Sequence, residues 1–236
     1  MLNAYIPRLA AIRLVCPYAT QPACRAVARF EPKETPGPIT IENRQDAAEM
    51  LLYGQIGFDW WGGEGTTAAE FHDKLAAIKA PRINLRINSP GGDVFDGLAI
   101  YNQLKRHNAE VVVDVDGYAA SAASLVAMAG DSVYMGRGAQ MMIHNAQAGV
   151  AGDSRDLRDF ADLLSKVDAE LAGIYASRAD KPATVFRSYM DAETWFNPLE
   201  AIKAGLADFT DETADSAAAR SHRMVAAARR ARALHS

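Results

Sequence analysis

Ile83, Leu85 and Ile87 alternate with polar residues, which marks Arg82–Asn88 as a strand with one buried face. Val94, Leu98, Tyr101 and Leu104 then fall on one side of a helix over Val94–Arg106, and the apolar run inside Glu110–Asp116 reads as the next strand. Upstream, Glu49–Phe58 predicts a first strand with Leu51, Leu52, Tyr53 and Ile56 as core candidates. Gly54 inside it signals a bulge or close backbone packing. A helix over Thr67–Ile78 places Phe71, Leu75 and Ile78 on one face. Downstream come a short apolar helix ending near Gly130 and two short strands, Ser132–Met135 and Met141–His144. Strand, helix, strand, helix implies an α/β fold with a largely parallel, right-handed wound sheet. No internal repeat is visible.

From Ser154 to Ser177 the period changes. Leu157, Phe160, Leu164, Val167, Leu171 and Ile174 step by three and four, a stripe like that of a coiled coil, while Arg155, Asp159, Asp162, Lys166 and Glu170 occupy the other face. Such a stripe reads either as intramolecular core or as a docking edge. Pro182–Met190 predicts another helix and Asp191–Phe196 a loop. Asn197-Pro198-Leu199-Glu200 is a helix start with cap, N1 proline and N3 acid. Gly205 stops that helix, and Leu206–Phe209 reads as a last short strand.

Pro32, Pro36, Gly37 and Pro38 stiffen a connector before Ile41. This gives three parts: an N-terminal arm over 1–40 with Arg8, Arg13, Arg25 and Arg29, one domain over 41–211, and an Ala/Arg-rich tail over 212–236. Hydrophobic residues make up 49% and charged ones 23% of 236 residues, enough for one soluble core. A net charge of -4 argues against a nucleic-acid binder. No apolar run reaches membrane-spanning length, so no membrane partner is expected. Cys16 and Cys24 lack metal-ligand spacing to a histidine pair, and they fit a reducing, cytoplasmic compartment. No metal or cofactor is implied. Trp60-Trp61-Gly62-Gly63-Glu64-Gly65 is glycine-rich but lacks the Lys-Ser or Lys-Thr of a phosphate-binding loop.

The chemistry centres on Gly117-Tyr118-Ala119-Ala120-Ser121-Ala122-Ala123-Ser124. A serine between a strand and a helix of small residues lets a substrate backbone approach, beside free amides and the positive end of the helix. The alternative is that Ser121 only caps the helix. Ser124, one turn on, is a rival nucleophile with poorer access. Of five histidines, His144 is the one that ends an apolar strand. Ser89-Pro90-Gly91-Gly92 closes the preceding strand with amides able to face a ligand.

Ile87-Asn88-Ser89-Pro90-Gly91-Gly92-Asp93, the Gly117–Ser124 segment, Met141-Met142-Ile143-His144-Asn145 and Ala192-Glu193-Thr194-Trp195-Phe196, in that order, resemble the ClpP family of serine peptidases. The resemblance runs from about Ala48 to Asp208. It implies a ClpP/crotonase-like fold of repeated ββα and βαβ units with a protruding handle helix, here the Ser154 segment, that packs two rings together. It also implies a serine endopeptidase with Ser121 as nucleophile, His144 as general base and Glu193 as orienting acid, where the family usually has aspartate. Asp191 is the reserve acid. The backbone amides of Gly92 and Ala122 carry over as the oxyanion hole. Trp60-Trp61-Gly62-Gly63 and Glu193-Thr194-Trp195 look closer to the phage-encoded members, which act as prohead maturation proteases; the expected substrates are then scaffold or capsid polypeptides in the host cytoplasm. A housekeeping subunit working with an ATPase unfoldase is the alternative. A crotonase-type acyl-CoA enzyme would leave Ser121 and His144 without roles, and a non-catalytic assembly protein on the same scaffold would leave the whole triad unused. A large homo-oligomer, ring or double ring, is expected.

Overall fold

The computed structural model describes residues 41–43, 46–57 and 65–211. The N-terminal arm, the Trp60–Glu64 part of the glycine-rich loop and the C-terminal tail lie outside the described residues. Two strands open the domain, β1 (Ile41–Asn43) and β2 (Ala48–Ile56), followed by α1 (Ala68–Ala76) and β3 (Arg82–Gly92). Next come α2 (Val94–Arg106), β4 (Glu110–Ala120), α3 (Ala122–Ala127), β5 (Ser132–Met135) and β6 (Gln140–Ile143). The chain continues through α4 (Ser154–Ala179), α5 (Ala183–Asp191), β7 (Thr194–Phe196), α6 (Pro198–Ala204) and β8 (Phe209–Thr210).

The strands form one sheet in the order β1-β2-β3-β4-β5-β8. All neighbours on this path run parallel except β1 and β2. The sheet forks at β4. Its first half, Val112–Val115, pairs with β5, and its last residues, Tyr118–Ala120, pair with β6, which β7 flanks antiparallel. Asp191–Phe196 is therefore not simply the loop expected from the sequence. Three polar or aromatic residues give little periodicity, and Thr194–Phe196 becomes a strand because the exposed edge of β6 supplies its hydrogen bonds.

The periodicities hold in three dimensions except in β2, where Leu51 and Tyr53, expected in the core, are half-buried because strand alternation turns them to the face opposite Met50 and Leu52. Ile83, Leu85 and Ile87 are fully buried with Met50, Leu52 and Ile56 of β2, and Phe71 and Leu75 of α1 and Ile100 and Leu104 of α2 cover them. A register shift between Tyr53 and Gln55 marks the bulge expected at Gly54. On the polar side of β2, β3 and β4, Arg86 grips Asp116 through two hydrogen bonds of 2.8 and 2.7 Å, and the Tyr53 hydroxyl donates to the same carboxylate at 2.5 Å. Burial and that carboxylate push the Tyr53 phenol up to about 12.

Helix α4 divides its stripe in two. Val167 and Leu171 are buried in the core, and Ile174 packs against it. Leu157 and Leu163 stay 44% and 38% exposed, with Phe160 and Leu164 half-buried beside them. The base of the helix is thus intramolecular core, and its first three turns present apolar side chains that the described residues leave exposed or half-buried.

Candidate active site

Three neighbouring strands deliver three side chains to one place. β4 and β6 run parallel with Ala120 opposite Met142, so the chain leaves β4 at Ser121 beside the chain leaving β6 at His144. β6 and β7 run antiparallel with Ile143 opposite Thr194, and one further step along that register sets Glu193 against His144. The Ser121 amide donates to the Met142 carbonyl at 2.9 Å and ties the turn to β6.

Ser121 stands at φ 53°, ψ -125°, a conformation that costs a side-chain-bearing residue on the order of 1–3 kcal/mol. Its hydroxyl makes no capping bond, although its position at the start of α3 is that of a cap. Instead Oγ lies 2.7 Å from His144 Nε2. The strained turn aims the hydroxyl away from the helix, and that answers the capping reading. Ser124 is fully buried, and its hydroxyl is 2.7 Å from the Ser121 carbonyl and 2.8 Å from the Tyr175 hydroxyl, so it is committed to packing α3 against α4.

With Nε2 facing Ser121, Nδ1 faces the Glu193 carboxylate at 3.6 Å and the Gln147 amide nitrogen at 3.3 Å. The Glu193 contact is an ion-pair distance, longer than a hydrogen bond, and its side chain is 40% exposed. Glu193 also sits at a positive φ of 44°. Asp191, the reserve acid, turns elsewhere: its carboxylate accepts from the Asn145 side-chain amide at 2.8 Å. Burial pulls the His144 pKa below its ordinary 6.5, against the opposing pull of the Glu193 and Asp168 carboxylates.

The two small-residue turns meet beside Ser121. A Cβ on Gly91 (φ 88°) would come within 2.8 Å of the Ala122 amide nitrogen and 2.9 Å of Ser121 Cβ, and one on Gly92 (φ 146°) would fall 2.0 Å from the Ile56 carbonyl oxygen. Only glycine permits these approaches, so Gly91 lies directly against the first turn of α3 while Gly92, the next residue, packs on β2. Among the described residues, no group of three or more His, Cys, Asp or Glu side chains could hold a metal, and no helix is long and apolar enough to cross a membrane.

Asp168 escaped the sequence reading. It lies on the buried side of α4 between Val167 and Leu171, 7% exposed, and accepts from the Ala146 amide at 2.7 Å. The available signal was an acid set among core positions of the apolar stripe.

Comparison with known proteins places the chain in a family. A family described as Clp protease matches residues 64–212. An ATP-dependent Clp protease proteolytic subunit of Deinococcus radiodurans is 35% identical over 131 residues, which cover 53% of this chain and 63% of that one. A subunit of the same name from Porphyromonas gingivalis is 28% identical over 72% of this chain and 82% of its own. The ATP-dependent Clp protease proteolytic subunit 2 of Tropheryma whipplei is 30% identical over 71% of this chain and 96% of its own length. Because the family match covers more than half of the chain, from before α1 through β8, and includes the segments that carry Ser121, His144 and Glu193, the chain belongs to the Clp protease family.

Proposed function

We propose that this chain is the proteolytic subunit of a serine endopeptidase in which Ser121 is the nucleophile, His144 the general base and Glu193 the acid that orients it. The observation that carries this reading is the 2.7 Å contact between Ser121 Oγ and His144 Nε2 at a strained strand-to-helix turn. Nε2 takes the hydroxyl proton as Oγ attacks the scissile carbonyl carbon, and the resulting imidazolium gives that proton to the leaving amine. The oxyanion forms between the backbone amides of Gly92 and Ala122, where a single donor is worth on the order of 3 kcal/mol. Water then hydrolyses the acyl-serine by the same base.

The names of the relatives favour a subunit of an ATP-dependent protease, so the substrates are polypeptides supplied by an ATPase partner. The prohead maturation reading rests on Glu193-Thr194-Trp195 and the tryptophan-glycine loop, and it is the weaker of the two because the named relatives are proteolytic subunits. The uncovered turns of α4 support assembly with further copies of the chain.

A fluorophosphonate probe tests the chemistry. Wild type is labelled at Ser121 and cleaves a fluorogenic peptide, while Ser121→Ala loses both and keeps its fold, because a half-exposed hydroxyl contributes no core volume. Labelling that survives in Ser121→Ala would defeat the assignment.

A further inference from the structure

The orienting acid at this site holds the imidazole loosely, at 3.6 Å and from a half-exposed side chain. A second carboxylate lies behind the histidine and is held far more firmly. Asp168, on the buried face of α4, accepts from the amide of Ala146, two residues beyond His144, at 2.7 Å. Its other oxygen faces Arg187 of α5, with Nη1 at 3.7 Å. That nitrogen is buried and has no hydrogen-bond partner among the described residues. The two form an ion pair without a hydrogen bond at Nη1: a carboxylate nine-tenths buried, with the cation 3.7 Å away.

We infer that Asp168 is a positioning residue for His144, anchoring the segment that follows the histidine onto α4 and holding a negative charge behind the imidazole as it becomes protonated in the reaction. This rests on the reading of His144 as general base. Two effects follow from one side chain. The hydrogen bond fixes the backbone that leaves β6, and so fixes the ring. The charge acts through the poorly solvated ground between α4 and the ring, where a carboxylate is screened less than at the surface. Consistent with this, the Asp168 carboxylate draws the His144 pKa upward, against the downward pull of burial.

Among the described residues, the charged and titratable groups that face His144 are few. Glu193 approaches from the turn before β7, Asp168 from α4 with Arg187 of α5 behind it, and Asp191 is turned onto Asn145. Ser121 and Gln147, its other neighbours, are neutral. Two substitutions then have opposite signs. Asp168→Asn keeps an oxygen for the Ala146 amide and removes the charge. Arg187→Gln removes the cation and leaves the carboxylate uncompensated.

The experiment measures the pH dependence of kcat/KM on a fluorogenic peptide for wild type, D168N and R187Q in the assembled protein. It is paired with an NMR titration of the His144 ring in Ser121→Ala versions selectively labelled at histidine. The acid limb and the ring pKa are expected to move down in D168N, by roughly half a unit, and up in R187Q. In D168N, kcat falls several-fold with KM little changed. A structural role alone moves neither titration, so wild-type titration in both variants, or a shift of the same sign in both, overturns the proposal. If wild type cleaves no peptide yet the ring shifts in opposite directions, the peptidase reading has failed and Asp168 still acts on His144 as inferred. Should D168N not fold, R187Q decides alone: an upward shift supports the proposal and an unmoved ring overturns it.

Discussion

At the scale of single residues, Glu193 and Asp191 differ by two positions and by everything around them. Asp191 is spent on Asn145, while Glu193 faces the imidazole. Glu193→Gln is expected to cut kcat far more than Asp191→Asn, read by steady-state kinetics, and the reverse order would transfer the orienting role to Asp191. Burial sets the working range of the base. Because the His144 pKa lies below 6.5, the neutral ring is retained as pH falls through that value, and the acid limb of kcat/KM should bend below 6.5. An acid limb above 6.5 would mean that the carboxylates outweigh burial. Ser121 and His144 stood out in the sequence because each ends a recognisable strand, but their roles, like that of the acid, came from the family resemblance. For the acid, nothing local separates Glu193 from Asp191, so family spacing alone put Glu193 first. Asp168 was hidden because a helical acid looks like a solvated one until its neighbours are known.

Elements show where pattern reading succeeds and where it stops. β3, β4, α1 and α2 repeat their periods over enough residues to declare themselves, and the structure follows them. β7 is three residues long, and its strand character belongs to its partner rather than to itself. The stripe of α4 was one pattern with two destinations. Leu171 is core, so Leu171→Glu should unfold the domain, whereas Leu157→Glu with Leu163→Glu should reduce particle mass in light scattering and leave the thermal transition in place. A particle of unchanged mass would show that the uncovered turns do not mediate assembly. The polar face of the sheet makes a second claim. Tyr53 titrates near 12 in the fold against 10.0 in the free chain, so its contribution is whole below pH 10 and is lost as pH rises toward 12. Tyr53→Phe should flatten that part of an alkaline unfolding curve.

For the whole molecule, the arrangement of the three strands decides when the protein can act. Ser121 and His144 arrive on parallel strands laid down in sequence, but Glu193 comes only after the chain has gone out along α4, back through α5 and returned against β6. On a ribosome, where synthesis runs at about 5–20 residues per second, a nascent chain carries its serine for several seconds before the acid that orients its base has been made. On the proposed triad, proteolytic competence therefore waits until Glu193 has been made and β7 has paired with β6. A chain that stops short of Glu193 holds the proposed nucleophile and base without the acid that orients the base, and so meets neighbouring polypeptides as a crippled enzyme.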